Sequence, residues 1–303
     1  DSLHEKGFLL TTAGKWFPVA PGDFPYNRVI DCIGPGVPAT ALFGKKKLVG
    51  VARVYKKEYS AISESSLDDD YFLIIREALK YNKSRLMEGE ADTNTLDAAY
   101  RLAKKIHAGQ RRASGEPFLV HLLSVVTLLL VKFDLLERYK AAEGASYEVI
   151  LAIALLHDAL EEDADALIKI GESFRGAGLG EDAIGIILSG VAELSKSAEE
   201  KDGLSDRPYL ARIARSTRDF IKLIKIADKL HNLMTPRYKW TVSQAEEYLQ
   251  DGMFFLNSIN PGELEWARLI FKQETTRLYT PELDKAEVYQ ASSPVLAITE
   301  LAR

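Results

Sequence analysis

The sequence predicts a mainly α-helical fold, a helical bundle preceded by a small N-terminal α+β region. Three observations carry this. From about residue 92 onward apolar residues recur at helical spacing in segment after segment. Turn signals (PGDFPYN, GPGVPA, LFGKKK) and short runs rich in Val, Ile and aromatics are concentrated in residues 1–60. The chain has 303 residues, 47% of them hydrophobic and 27% charged, values ordinary for globular protein and enough for about two domains.

The strand-like runs are KWFPV, RVIDCI and KLVGVARVYKKEY, and DYFLIIREALKYNK (70–83) reads as a helix. A polar connection, MEGEADTNT, leads into LDAAYRLAKKIHAGQ, with Asn94 or Thr95 as cap. GEPFLVHLLSVVTLLLVKF follows, with Pro117 in its first turn, where a missing N–H costs nothing. SYEVILAIALLHDALEED starts at Ser146, a good N-cap. DAIGIILSGVAEL is helical, and RPYLARIARSTRDFIKLIKIADKLHNLM holds one or two helices. VSQAEEYLQDGMFFLNSI and ELEWARLIFKQETTRLY close the ordered part. RGAGLGED and SKSAEEKDGLSDRP read as loose, and 196–207 fits a lid and an inert loop equally. The expected domains are 1–91, of unknown role; 92–240; and C-terminal helices in 241–303 that pack on 92–240 and complete its core.

Composition also limits function. A net charge of −5 argues against general nucleic-acid binding, though a local basic cluster can still hold a small anion. No stretch reaches the roughly 18 uninterrupted apolar residues of a membrane span, so no membrane partner is expected. DSLHEKGFLL lacks the pattern of a signal peptide, and a chain beginning at Asp1 is compatible with a trimmed piece of a longer protein. With one cysteine, Cys32, no intramolecular disulfide can form; the residue reads as a small buried apolar group and the cytoplasm as the natural location.

The chemistry lies where polar residues interrupt apolar helices. His157 and Asp158 follow AIALL; His121 stands between FLV and LLSVV; Asp228 stands between LIKIA and KLHNL. Burying an unpaired carboxylate costs several kcal/mol, so each aspartate wants a partner or a metal. Two imidazoles and two carboxylates suit a divalent Mn, Fe, Co or Zn ion. Taken singly, each is more often a satisfied core histidine or an ion-pair partner. Adjacent helical residues point about 100° apart, so periodicity alone does not make His157 and Asp158 converge.

The stretches HAGQRRASGEPFLVH (107–121), LLHDALEED (155–163) and KIADKLHN (225–232), in that order, resemble the HD-domain alarmone hydrolases, the hydrolase halves of the bacterial stringent-response (RelA/SpoT-type) enzymes and their small single-domain relatives. The resemblance covers about residues 95–240. It implies an HD-domain helical bundle in which His121, His157, Asp158 and Asp228 hold one divalent cation, typically manganese. The implied reaction removes the 3′-pyrophosphate of guanosine tetra- or pentaphosphate. Glu161 and Glu162 take the place of the family's Glu-Asp pair, as candidates to position or deprotonate water; the alternative is a solvated acidic helix end. Arg112 matches an arginine that stacks on the base, and Ser114 and Gly115 allow close backbone approach. Asn232 and Thr235 match nucleotide contacts. Lys225 and Lys229 flank Asp228 and could meet phosphates, or form a solvated basic face. His107 reads as supporting or structural, and His231 as packed or at the surface.

The chain departs from the pattern at Ala113, Glu162, Met234 and GVAELSK (190–196). Neither 1–90 nor 241–303 resembles an alarmone synthetase. The departures keep other readings open: a phosphatase of another nucleotide, such as the 2′-phosphate of NADPH or an adenosine alarmone, and a nucleotide-sensing HD module without turnover. A homo-oligomer is compatible with the sequence.

Overall fold

The computed structural model describes residues 7–10 and 16–19, scattered positions between 69 and 83, and then 93–112, 117–139, 145–202, 205–234 and 242–279. The runs RVIDCI and KLVGVARVYKKEY and Cys32 lie outside the described residues. The fold is mainly α, as predicted. None of its described helices is long and apolar enough to cross a membrane.

At the N-terminal end, β1 (Gly7–Leu10) pairs antiparallel with β2 (Trp16–Val19), Gly7 opposite Val19 and Leu10 opposite Trp16. β2 coincides with the predicted KWFPV strand; its partner GFLL was not read as a strand. Helical residues occur from 69 to 83, where a helix was expected. Phe72 there stacks on Tyr100 at 3.9 Å between ring centroids, and Lys83 pairs with the buried Glu148 at 2.5 Å.

The helices that follow are α1 (Thr93–Ile106), α2 (Phe118–Thr127), α3 (Leu135–Arg138), α4 (Tyr147–Leu156), α5 (Ala159–Glu162), α6 (Ala166–Gly176) and α7 (Glu181–Leu194). They belong to one compact unit, Asp1–Ser195. Every residue of α4 is buried, which explains its all-round apolar sequence: α1, α2 and α7 all pack on it. Gly190 of α7 makes that approach possible, because a Cβ there would sit 2.7 Å from Ile153 Cδ1.

Several local expectations are corrected. α1 begins at Thr93, so Asn94 and Thr95 lie within its first turn and not before it. Pro117 caps α2 with an extended ψ of 140° and stands just outside the helix. Ser146 caps α4 as predicted, its side chain accepting from the Val149 N–H at 3.3 Å. The helix expected to run on through HDALEED instead breaks at His157 and Asp158 and resumes as the single turn α5. RGAGLGED is not loose: the Leu179 N–H donates to the Phe174 carbonyl and that of Gly178 to Arg175, with Gly178 at φ +84°, a left-handed stop that favours glycine. Arg175 then clamps Glu181 through two hydrogen bonds of 2.7 and 3.1 Å.

The second compact unit, Lys196–Arg303, contains α8 (Ala198–Lys201), α9 (Arg207–Ala214), α10 (Asp219–Met234), α11 (Val242–Ser258) and α12 (Glu265–Tyr279). The division at 195/196 falls inside the stretch 92–240 that the sequence groups as one domain. RPYLARIA and DFIKLIKIADKLHNLM are separate helices, α9 and α10. α11 packs on α9 and α10, and α12 packs on α10. The long segment read as loose around 196–207 contains α8, whose Ser197 and Glu200 form a reciprocal capping box. Glu200 also accepts two hydrogen bonds from Arg212, at 2.9 and 2.8 Å, and Lys196 pairs with Asp206 at 2.7 Å.

Candidate metal centre

His121 lies in the first turns of α2, and His157 and Asp158 form the break between α4 and α5. Both histidines are buried, 2% exposed, and Asp158 is partly exposed. The helix break resolves the divergence that a continuous helix would impose. Asp158 adopts φ −97° and ψ 0°, and its carboxylate turns back between the two imidazoles. His157 Nε2 lies 3.3 Å from Asp158 Oδ1 and His121 Nε2 lies 3.6 Å from Asp158 Oδ2. The two rings are 5.4 Å apart between centroids.

The protonation pattern of His157 follows from its backbone contact. Its Nδ1 lies 2.9 Å from the Ala154 carbonyl, which can only accept, so Nδ1 carries the hydrogen. In the neutral ring the Nε2 lone pair then faces Asp158. A carbonyl fixing one ring nitrogen while the other is offered to an ion is how metal-binding histidines are generally held. For a tetrahedral ion bound at about 2.0–2.1 Å, neighbouring ligand atoms stand roughly 3.3 Å apart. Each histidine stands at about that spacing from one Asp158 oxygen, a different oxygen for each, and two imidazoles with a carboxylate are donors of the kind that suit a divalent cation.

His121 differs. Arg112 Nη1 lies 3.4 Å from its Nδ1, and a guanidinium only donates. Binding an ion through Nε2 requires the ring hydrogen to sit on Nδ1, and therefore requires Arg112 to turn away.

In the second unit, α10 carries Asp228, which is 3% exposed. Lys225 Nζ donates to its Oδ2 at 2.7 Å and Asn232 Nδ2 to its Oδ1 at 2.7 Å, one turn to either side. Lys225 and Lys229 are buried, which excludes the solvated basic face as their setting. Lys225 lies 5.0 Å from the centre of the Tyr209 ring and Lys229 3.9 Å from that of Tyr248. Burial, reinforced by the neighbouring Lys225 charge, lowers the Lys229 ammonium to a pKa of about 8. His231 and Met234 are packed in the interior. Ser114 and Thr235, with Ala113 and Gly115, lie outside the described residues.

Glu161 and Glu162 are both exposed on α5. Glu162 Oε2 accepts a 2.6 Å hydrogen bond from Gln110 Nε2, and Gln110 Oε1 lies 2.7 Å from Nδ1 of the buried His107. His107 stacks on Phe118 at 4.7 Å, and Phe118 meets His121 edge-on at 5.6 Å. Burial lowers the pKa of His107, against the opposing pull of its bond to Gln110. Sequence reasoning did not single out Gln110. The signal was present in HAGQ: Gly109, at φ +76°, makes the turn that brings Gln110 back toward the site.

Comparison with known proteins places part of this chain. Over 159 residues it is 31% identical to a GTP pyrophosphokinase of Streptomyces antibioticus, spanning 51% of the chain. The chain is similar to GTP pyrophosphokinases over half its length. A probable GTP diphosphokinase, RSH3, chloroplastic, of Arabidopsis thaliana is 33% identical over 149 residues (48% of the chain), and a probable GTP pyrophosphokinase of Mycobacterium leprae 29% over 160 residues (52%). The chain spans only 16–18% of the length of these relatives. No family model matches it. The similarity to the pyrophosphokinases thus concerns one part of much longer proteins. One of those relatives is named chloroplastic, so they carry no single cellular location.

Proposed function

We propose that residues 92–240 form a metal-dependent phosphohydrolase of the HD kind that removes the 3′-pyrophosphate of guanosine tetra- or pentaphosphate. The observation that carries this reading is the cluster of His121, His157 and Asp158, with the His157 tautomer held so that its lone pair faces the Asp158 carboxylate. Asp228 is the fourth ligand in this reading, and manganese the expected ion. The names of the relatives describe handling of pyrophosphate on a guanine nucleotide, which supports the substrate class. The histidine–aspartate cluster supports hydrolysis over synthesis.

The residues divide the work as follows. A divalent cation held by these groups would supply Lewis acidity to the attacking water and to the attacked phosphorus. Glu161 and Glu162 orient that water and accept its proton. The water oxygen bonds to the phosphorus next to the ribose, the bond from that phosphorus to the 3′-oxygen breaks, and the 3′-oxygen takes a proton as pyrophosphate leaves. Arg112, freed from His121, has the flat guanidinium suited to stacking on the base. Ser114, Lys225, Asn232 and Thr235 are the remaining candidates for substrate contacts; Lys225 and Asn232 meet the nucleotide only by loosening their bonds to Asp228.

The test is incubation of the manganese-loaded protein with guanosine tetraphosphate, an adenosine alarmone and NADPH, with products separated by chromatography. Pyrophosphate and guanosine diphosphate from the first are expected. Orthophosphate from NADPH alone transfers the activity to a different nucleotide. Tight nucleotide binding with no turnover across several metals makes the protein a sensor.

A further inference from the structure

We propose that Gln110 is a positioning residue for Glu162, and that His107 sets the direction in which its amide points. The proposal rests on the hydrolase reading above and adds residues to it. Glu162 projects from a helix of only four residues and is exposed. Left untethered, such a side chain samples many rotamers, and fixing it costs entropy. Gln110 reaches it from 52 residues away in sequence, so the contact is not a by-product of local helix geometry.

The chain of donors has one consistent direction. A carboxylate only accepts, so the Gln110 group facing Glu162 is its NH₂, and its Oε1 must face His107. That oxygen needs a donor, so His107 carries its hydrogen on Nδ1. The ring cannot turn to offer its other nitrogen without leaving Phe118, on which it stacks nearly parallel, 13° between planes. Its Nε2 is buried and has no hydrogen-bond partner among the described residues, as suits a neutral ring with a single hydrogen already used. The Gln110 backbone is fixed as well: its N–H donates to the His107 carbonyl at 3.1 Å, and its carbonyl accepts from Phe118 N–H at 3.0 Å. An amide pinned at the backbone, with its direction set by a buried ring, holds one oxygen of Glu162 and leaves the other for the reacting water.

The experiment uses the whole chain. His107→Phe keeps the stack and removes the N–H; His107→Asn returns an amide donor at the Nδ1 position; Gln110→Leu breaks the link. With manganese and guanosine tetraphosphate, His107→Phe and Gln110→Leu are expected to lower kcat by about 10- to 100-fold, the loss typical of removing a group that orients an active-site residue. KM and manganese content stay within about twofold. His107→Asn recovers most of kcat, and the double variant His107→Phe/Gln110→Leu is no worse than Gln110→Leu alone. Unchanged kcat in Gln110→Leu overturns the proposal, as does a loss of kcat that tracks a loss of metal. Nitrogen-15 NMR of His107 provides a readout independent of turnover. The Nδ1–H form is expected in the native chain and is lost in Gln110→Leu; an Nε2–H form in the native chain overturns the proposal even if no nucleotide is hydrolysed. If the Nδ1–H form is found in the native chain but no nucleotide is turned over, the hydrolase reading fails and the tether stands.

Discussion

The two compact units hold their candidate ligands in different ways. In the first, His157 is fixed by a backbone carbonyl, and the Asp158 carboxylate faces ring nitrogens that can carry lone pairs. In the second, both oxygens of Asp228 are taken by side chains of its own helix, one of them the Lys225 ammonium. The first arrangement is, in the hydrolase reading proposed above, a donor set prepared for a cation. The second is a carboxylate already neutralised by one, which must exchange a lysine for a metal ion before it can serve as a ligand. A buried carboxylate needs compensation whether or not an ion is present, and Lys225 supplies it.

The largest expected effect separates the two. Asp158→Ala removes the carboxylate between the imidazoles, and loss of hydrolysis by about 10³-fold or more is expected, since placing the ion accounts for several kcal/mol of charge stabilisation. Circular dichroism should show the helices intact. Turnover surviving this change removes the first unit's cluster from the chemistry.

Lys225→Met tests the second arrangement. In the presence of a chelator the variant takes the ammonium away from the buried Asp228, and a loss of about 3–5 kcal/mol is expected in urea titrations. Added manganese should recover part of the deficit, because an ion that binds only the folded state stabilises it by mass action. An equal deficit with and without metal excludes Asp228 from the ligand set.

A smaller effect probes the packing behind the prepared set. Gly190→Ala places a methyl against Ile153, on the helix that ends in His157. Overpacking of this kind costs about 1–3 kcal/mol, and a lower Tm follows. Hydrolysis should fall less than in Asp158→Ala, because the donors themselves remain.

How much of this was legible in the sequence varies with the physical signal. The core helices were readable because burial imposes apolar periodicity, and Ser146 was readable because a capping hydroxyl has a local job. The break at His157 and Asp158 was not, since the apolar run AIALL and the acidic run after it read as one helix; the backbone turn that lets the carboxylate face both rings leaves no mark in composition. The burial of Lys225 and Lys229 was hidden for a similar reason: the tyrosine rings that receive them come from other helices, α9 and α11. RGAGLGED looked loose because Gly and charge suggest a loop, yet a glycine at positive φ and an Arg175–Glu181 pair make it a defined helix stop. Ser114 and Thr235 remain expectations from the family pattern alone.

The smallest effect is a control on the comparison. Glu200 ties α8 to Arg212, within the second unit and apart in sequence from the candidate ligands. The Arg212 hydrogen bonds hold its carboxyl below the ordinary value of 4.5, so the pair's contribution is fully present above that pH and is lost as pH falls through the lower native value. Glu200→Gln should therefore cost about 1 kcal/mol or less near pH 7, as expected for a partly exposed pair. The difference from the native chain should shrink toward zero in acid. Hydrolysis at pH 7 should not change. If it does, 196–207 does more than brace its own unit and belongs with the substrate-handling segments; if stability alone moves, the segment is a structural tie and the lid reading is excluded.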